Sequence, residues 1–438
     1  MERFFFMGWK DIYQQRLMTA AKAVTRIKSG DRITLPDAAA EAKPIINALV
    51  ENREAYSDVE ICHMLSLGGA VYLKPEYQKH FRHNAQFVSQ LSRETIRSGH
   101  GDLTPCYFSQ IPNLWSRTLP LDVAVIHVSP PDEHGFCSLG VSVDYSLHAA
   151  RAAKLVIAQV NNHMPRTLGE SFVHVSEIDC IVEFDDPITE LQPPKITAVE
   201  EAIGANCASL IRDGDCLQLG IGSIPDAVLL FLKEKKHLGI HTEMFSDGVV
   251  ELAEAGVIDN SLKNLHNGKM IATFLMGTKK LYDFVHNNPM VSMYPATYTN
   301  DPYIAGKNDN LVSINSCIQV DFLGQVCSES IGTLQFSAVG GQVDFVRAAQ
   351  ISNGGRSIIA MPSTAVGGQV SRVVPFLDRG AVVTTSRCDV EYIVTEFGIA
   401  NLRYHTVRDR ARALIQIAHP KFREELKAAF RERFSAEF

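Results

Sequence analysis

The 438-residue sequence predicts an α/β protein built as two similar open α/β domains with mostly parallel sheets covered by helices. Two observations predict it. Short continuous apolar runs at 123–128, 155–158, 357–360 and 381–385 alternate with segments of helical periodicity. Strands apolar on both faces and separated by helices belong in parallel sheets covered on both sides. The second observation is a repeat. Ile27-Lys28-Ser29-Gly30-Asp31-Arg32-Ile33-Thr34-Leu35 returns, with substitutions, as Ile211-Arg212-Asp213-Gly214-Asp215-Cys216-Leu217-Gln218-Leu219. Each copy follows an amphipathic helix and precedes another, which marks a duplicated unit. A weaker parallel lays 61–73 over 240–252 and places Met64 where the second copy carries Glu243.

In chain order, Phe4-Phe5-Phe6-Met7 is too short an apolar run for a secretory signal, and Met7 is a candidate start. From Gly8 an amphipathic helix presents Ile12, Leu17, Ala20, Ala23, Val24 and Ile27 up to a stop at Ser29-Gly30. A strand follows. The stretch 183–194, rich in proline and acid, separates a domain over 1–190 from a second over 191–438. After Gly220-Ile221-Gly222-Ser223 a helix is expected from about 225 to 237, with Ser223 or Ile224 near its cap and Gly239 at its stop. At the end, Thr406 caps a helix over 407–418 and Pro420 begins another to about Phe434.

Composition bounds the function. Hydrophobic residues at 46% and charged residues at 21% supply large cores. A formal charge of −7 and a pI near 6.1 argue against nucleic acid as a partner. Nine scattered cysteines without a C-x-x-C pair argue against a disulfide framework or a zinc site and fit a reducing cytoplasm. No apolar run reaches membrane-spanning length.

Within that frame the chemistry centres on Glu243, which stands between apolar neighbours at the expected end of a buried strand in Gly239-Ile240-His241-Thr242-Glu243-Met244-Phe245-Ser246-Asp247-Gly248. Its competing reading is a solvated charge beside a loop. The turn 220–224 precedes a helix whose first N–H groups favour anions, and it equally reads as a tight structural turn. Pro225 stands where a dinucleotide fingerprint has its third glycine. A second glycine loop, Ser337-Ala338-Val339-Gly340-Gly341-Gln342, offers paired N–H groups to a developing oxyanion, or simply turns a strand into a helix. His237 and His241 have the spacing of a metal pair, but Gly239 breaks any helix between them. Glu396 is the rival carboxylate, expected in the first turn of a helix capped by Thr395.

Taken together, the 220–223 turn, the 241–248 stretch, 337–345 and Val394-Thr395-Glu396-Phe397-Gly398-Ile399-Ala400-Asn401-Leu402-Arg403 resemble the acetyl-CoA hydrolase/transferase family, and within it the 4-hydroxybutyrate and butyryl-CoA:acetate CoA-transferases. The resemblance covers nearly the whole chain in order. It implies a two-domain enzyme, a homodimer or higher homo-oligomer, that takes coenzyme A and acyl-CoA as substrates with short-chain carboxylates and holds no permanent cofactor.

By the same resemblance Glu243 attacks an acyl-CoA thioester and ends as a glutamyl-CoA thioester. A glutamate, with an ordinary pKa of about 4.3, is ionised near neutrality and needs neither general base nor metal. Gly220, Ile221, Gly222, Ser223, Ile224 and Gly341 would contact CoA, with Ile318 and Cys388 as further contacts. The N–H groups of Gly340 and Gly341 would form the oxyanion hole. Tyr404 departs from the family, where glycine often follows the Leu-Arg pair. A hydrolase of this fold, or a noncatalytic acyl-CoA binder, are the alternatives.

Overall fold

The computed structural model describes residues 8–220 and 222–438 and resolves the chain into two compact units. One comprises the described residues up to Cys106 with Gln110–Leu191 and Thr273–Thr297; the other comprises Tyr107–Ser109, Gln192–Ala272 and Tyr298–Phe438. The division is therefore not a single cut in the 183–194 stretch. Thr273–Thr297 joins the first unit through backbone bonds: Val143 and Asp144 N–H donate to the Thr273 carbonyl (3.0 and 3.1 Å), and Glu170 N–H donates to that of Met293 (2.8 Å).

Each unit carries an open sheet. In the first, seven parallel strands run in the spatial order Gly101–Leu103, Phe81–Ala85, Val59–His63, Arg32–Thr34, Val123–Val128, Leu155–Val160 and Cys180–Glu183. Val59–His63, Val123–Val128 and Leu155–Val160 are buried at every position, as strands covered on both faces must be. The second unit orders its strands Gly239–Ile240, Cys216–Leu219, Leu311–Ser316, Arg356–Ala360, Tyr392–Thr395 and Gly398–Asn401, and only the last pair is antiparallel. From Cys216–Leu219 the chain goes out to one side of the sheet, and from Leu311–Ser316 to the other. Ligands of open α/β sheets bind at the carboxyl ends of strands beside such a switch point.

The sequence repeat is a structural repeat. Gly30 and Gly214 adopt nearly the same left-handed φ, +81° and +78°. Asp31 accepts from Lys28 N–H (2.8 Å) and Asp215 from Arg212 N–H (2.6 Å), so one turn recurs atom for atom. Register agrees as well: Ile33 pairs with Ile61, and Leu217 with Ile240. Met64, buried in the first unit, thus holds the position that Glu243 holds in the second.

Four expected elements differ. The first helix is two, Trp9–Arg16 and Ala20–Val24, because Met18 N–H donates to Ile181 at the sheet edge (2.9 Å) and Thr19 caps a fresh start by accepting from Lys22 N–H (3.3 Å). The helix after the glycine turn is Ser223–Leu230 and stops well before His237: Leu232 turns into the core and Lys235 Nζ donates to the Ile211 carbonyl (2.7 Å). Residues 381–385 form no strand beyond a bridge at Thr385, and Val382 and Val383 are exposed. Thr395-Glu396-Phe397-Gly398 turns a hairpin rather than opening a helix, since Thr395 pairs with Gly398, whose φ is +137°.

At the C-terminus the helices Val407–Ile417 and Pro420–Phe434 form as the capping signals indicate, with Thr406 Oγ1 accepting from Asp409 N–H (3.3 Å). They bury Leu414, Ile417, Leu426 and Phe430 against the second unit's core. No described helix is long and apolar enough to cross a membrane. The run 4–6 and Met7 lie outside the described residues.

Candidate active site

Glu243 sits just past the carboxyl end of a short parallel strand. Gly239–Ile240 pairs with Cys216–Leu219, and His241 bridges to Ile271, so the chain reaches Glu243 flanked on both sides. Thr242 ties this end down. Its Oγ1 donates to the Leu219 carbonyl (3.0 Å) and accepts from Leu219 N–H (3.1 Å). Leu219 is the last residue before Gly220, so one side chain links the half-buried Glu243 to the root of the glycine turn.

On the other side of the carboxylate is Asn300, fully buried, whose Nδ2 donates to Glu243 Oε2 (2.7 Å). Gly341 completes the contact. A Cβ placed there would overlap both Glu243 Oε2 and Asn300 Nδ2, so this position admits only glycine while the carboxylate stays where it is. Gly341 is also the cap residue of helix Gln342–Ile351, and its neighbour Gly340 turns at φ +54° with its carbonyl accepting from Phe108 N–H (3.0 Å). The glycine loop and Glu243 are therefore in contact, although about a hundred residues separate them.

In the first glycine turn, Gly220 is half-buried and Gly222 is exposed at φ +115°, with open space where a side chain would lie. The second glycine is needed for its backbone conformation rather than for a close neighbour. Ser223 opens the helix, half-buried, and Ile224 is buried beneath it. Ile221 lies outside the described residues. Beside the turn, at the sheet's switch point, Gln218 Oε1 accepts from Ser313 Oγ (2.7 Å) and Asn315 Nδ2 (3.1 Å), a polar floor that the sequence reading did not single out.

The remaining expected residues are held by other bonds. Ile318, half-buried after the Leu311–Ser316 strand, donates its N–H to the Cys327 carbonyl (2.8 Å). Cys388 is exposed, with its N–H directed at Ser386 Oγ (3.3 Å). Glu396 is clamped by one residue: Ser363 donates its N–H to Oε2 (2.8 Å) and its Oγ to Oε1 (2.6 Å). Those bonds give the rival carboxylate a turn-holding task. His237 and His241 diverge. His237 meets Asp259 at the surface (2.8 Å), whereas His241 is buried and bonded to Thr299 and Asn308.

Electrostatics near the loop are set by burial. Asp344, in the first turn of helix Gln342–Ile351, accepts from Ser109 N–H (3.0 Å) and Oγ (2.9 Å), yet burial pushes its carboxyl up to about 7. Burial lowers Lys263 to about 8 and His241 to about 3. Asn300 was missed from sequence because a Thr-Asn-Asp-Pro run reads as a turn and a helix cap. Asp301 is that cap, accepting from Tyr303 and Ile304 N–H (2.8 and 3.0 Å).

Two family models, the N-terminal and the C-terminal domain of acetyl-CoA hydrolase/transferase, match residues 1–193 and 277–430. A curated relative from Clostridium kluyveri, 4-hydroxybutyrate coenzyme A transferase, is 60% identical over 98% of this chain and 100% of its own length. The chain belongs to the acetyl-CoA hydrolase/transferase family.

As a CoA-transferase it has further relatives of full length. Butyryl-CoA:acetate CoA-transferase from Anaerostipes caccae is 38% identical over 96% of this chain and 97% of its own. Among solved structures, 4-hydroxybutyrate CoA-transferase from Porphyromonas gingivalis superposes with a TM-score of 0.84 at 43% identity, covering 97% of this chain and 100% of that one. RipA from Yersinia pestis superposes with a TM-score of 0.92 at 38% identity, covering 98% and 99%. The fold of this CoA-transferase is thus the fold of its relatives.

Proposed function

We propose that this CoA-transferase moves CoA between an acyl-CoA and a small carboxylic acid by a ping-pong mechanism in which Glu243 is the nucleophile. The observation that carries the reading is the tight apposition of Glu243, Asn300 and Gly341, which holds one carboxylate against a glycine loop at the carboxyl end of a parallel sheet. A Glu243 oxygen attacks the thioester carbonyl carbon, the C–S bond breaks, and CoA leaves as thiolate. The thiolate then attacks the glutamyl carbonyl of the resulting anhydride; the C–O bond breaks, the product carboxylate departs and a glutamyl-CoA thioester remains. An incoming carboxylate reverses the two steps. No proton is moved, which suits a site whose central acid is simply an ionised glutamate.

In this reading Gly220, Ile221, Gly222, Ser223 and Ile224, with Ile318 and Cys388, contact CoA, and the N–H groups of Gly340 and Gly341 receive the developing oxyanion. Removing one such donor typically costs about a hundredfold to a thousandfold in rate. Binding energy from the nucleotide end of CoA is used at the thioester and makes a weak nucleophile effective. The names of the relatives support 4-hydroxybutyrate, butyrate and acetate as the carboxylates. The reading extends to a cytoplasmic enzyme, a homodimer or higher homo-oligomer without a resident cofactor, whose catalytic glutamate lies in the domain from residue 191.

Incubation with acyl-CoA alone, followed by peptide mass mapping, is expected to place the CoA adduct on Glu243. An adduct on Glu396, or turnover without any adduct, would overturn the assignment. Glu243→Gln is expected to abolish exchange and to leave CoA binding within about threefold, since the amide keeps the shape of the side chain but not its charge. Steady release of free CoA without an acceptor would mark a hydrolase.

A further inference from the structure

His241, buried and outside the chemistry just described, makes two hydrogen bonds that fix its tautomer. Nε2 lies 2.9 Å from the Thr299 carbonyl and must carry the proton; Nδ1 then accepts from Asn308 Nδ2 (3.1 Å). Asn308 is itself fixed, for its second amide proton goes to the Ala305 carbonyl (3.0 Å). Phe345 packs edge-on to the imidazole, with ring centroids 6.4 Å apart.

Two alternate residues of one extended segment therefore meet two consecutive residues at the end of the short helix Ala296–Thr299. His241 holds Thr299, and Glu243 is held by Asn300. Between them Thr242 points the other way, to Leu219, as the period of an extended chain requires. Thr299 and Asn300 are fully buried, and the Pro302–Ala305 helix that follows them is capped by Asp301. The His241 strand is pinned in turn: its N–H donates to the Leu217 carbonyl (3.1 Å), and Lys263 Nζ donates to the Ile240 carbonyl (2.8 Å).

We propose that His241 is a positioning residue for CoA transfer: by holding the Thr299 carbonyl it sets Asn300 against the Glu243 carboxylate. The inference rests on Glu243 being the nucleophile. A neutral imidazole suits the task. Burial first, and the Lys263 ammonium second, hold His241 near pKa 3, so the brace adds no positive charge that would pair with the carboxylate and blunt its attack. It acts on the geometry of Asn300 alone, and misplacement of a reacting group by about 1 Å costs on the order of a hundredfold.

The test is a double-variant cycle read in kcat, KM and Tm. His241→Leu, which fills the space but removes the bond to the Thr299 carbonyl, is expected to lower kcat at least about tenfold with KM for acyl-CoA within about twofold. His241→Gln, whose Nε2 reaches the same carbonyl, is expected to recover most of that loss. In an Asn300→Ala background, His241→Leu is expected to cost less than about twofold more, because its effect already runs through Asn300. Should His241→Leu not fold, Asn308→Leu frees the tautomer instead, and the same dependence on Asn300 is expected. Losses that multiply in the double variant, or a Gln variant no better than Leu, overturn the proposal. An adduct still mapping to Glu243 in that case would leave the nucleophile standing and remove only the brace; an adduct elsewhere would remove both.

Discussion

At Gly341 the constraint on side-chain size comes from the carboxylate itself. Every atom added at Cα enters the space of Glu243 Oε2 and Asn300 Nδ2. Gly341→Ala is therefore expected to displace the carboxylate and lower kcat by on the order of a hundredfold, with the circular dichroism spectrum kept because the loop's φ at this position, −94°, suits any residue, and with a modest drop in Tm as the fully buried Asn300 gives way. A kcat within about threefold of the parent would show that the carboxylate is not held where the structure has it. Tyr404 is the opposite case. It occupies a left-handed φ of +63° at 89% exposure, with the Arg403 guanidinium over its ring (5.0 Å), so a glycine there would answer a backbone demand and no packing demand.

The unit that matters among the elements is a strand end and the turn beside it. Parallel strands deliver Leu219 and Glu243 to one edge, but nothing in the ladder sets the distance between the glycine turn and Glu243. Thr242 does, through its paired bonds to Leu219. Thr242→Val keeps the shape and removes the bonds. It is expected to lower the unfolding free energy by about 1–3 kcal/mol, read as a drop in the denaturant midpoint, and to reduce kcat. Unchanged stability would mean that the sheet alone fixes this edge. The same scale explains the misread elements: Thr395 opens no helix because it pairs with Gly398 across a hairpin, its Oγ1 donating to the Ile417 carbonyl (2.6 Å) and accepting from Phe397 N–H (3.1 Å), and the helix after Ser223 ends early because Leu232 has a core to enter.

For the molecule as a whole, the buried histidines dominate its response to acid. Burial lowers His63 and His127 to about 4, and His83 and His241 to about 3. A depressed folded-state pKa means that the unfolded chain takes up the proton first. The associated stability is present above the unfolded value near 6.5 and is lost as pH falls below it. Asp144 and Asp344, raised by burial to about 6 and about 7, act in the reverse sense, favouring the folded state as pH falls toward 4. His148 and His266 are also lowered, and Asp215, Asp226 and Glu329 raised, by smaller amounts, so the four deeply shifted imidazoles set the sign. Between about pH 6.5 and 5, stability is expected to fall by on the order of 1–3 kcal/mol per pH unit, measured as urea midpoints. A flat or rising curve would show that these imidazoles are protonated in the folded chain.

What the sequence determined by itself is what neighbours along the chain encode: the apolar strand runs, the glycine-aspartate turn made twice, and the arrival of Glu243 at a strand end. Period and turn chemistry act over a few residues, so they are legible without a structure. Only the tertiary structure decided that Asn300, 57 residues from Glu243, would hold its carboxylate, that both ring nitrogens of His241 would bond to Thr299 and Asn308, and that Thr273–Thr297 belongs with the first unit. Those outcomes depend on which loop closes over which strand end. Hydrogen bonds between residues far apart leave no period in the sequence, and a buried asparagine there reads the same as one in any surface turn.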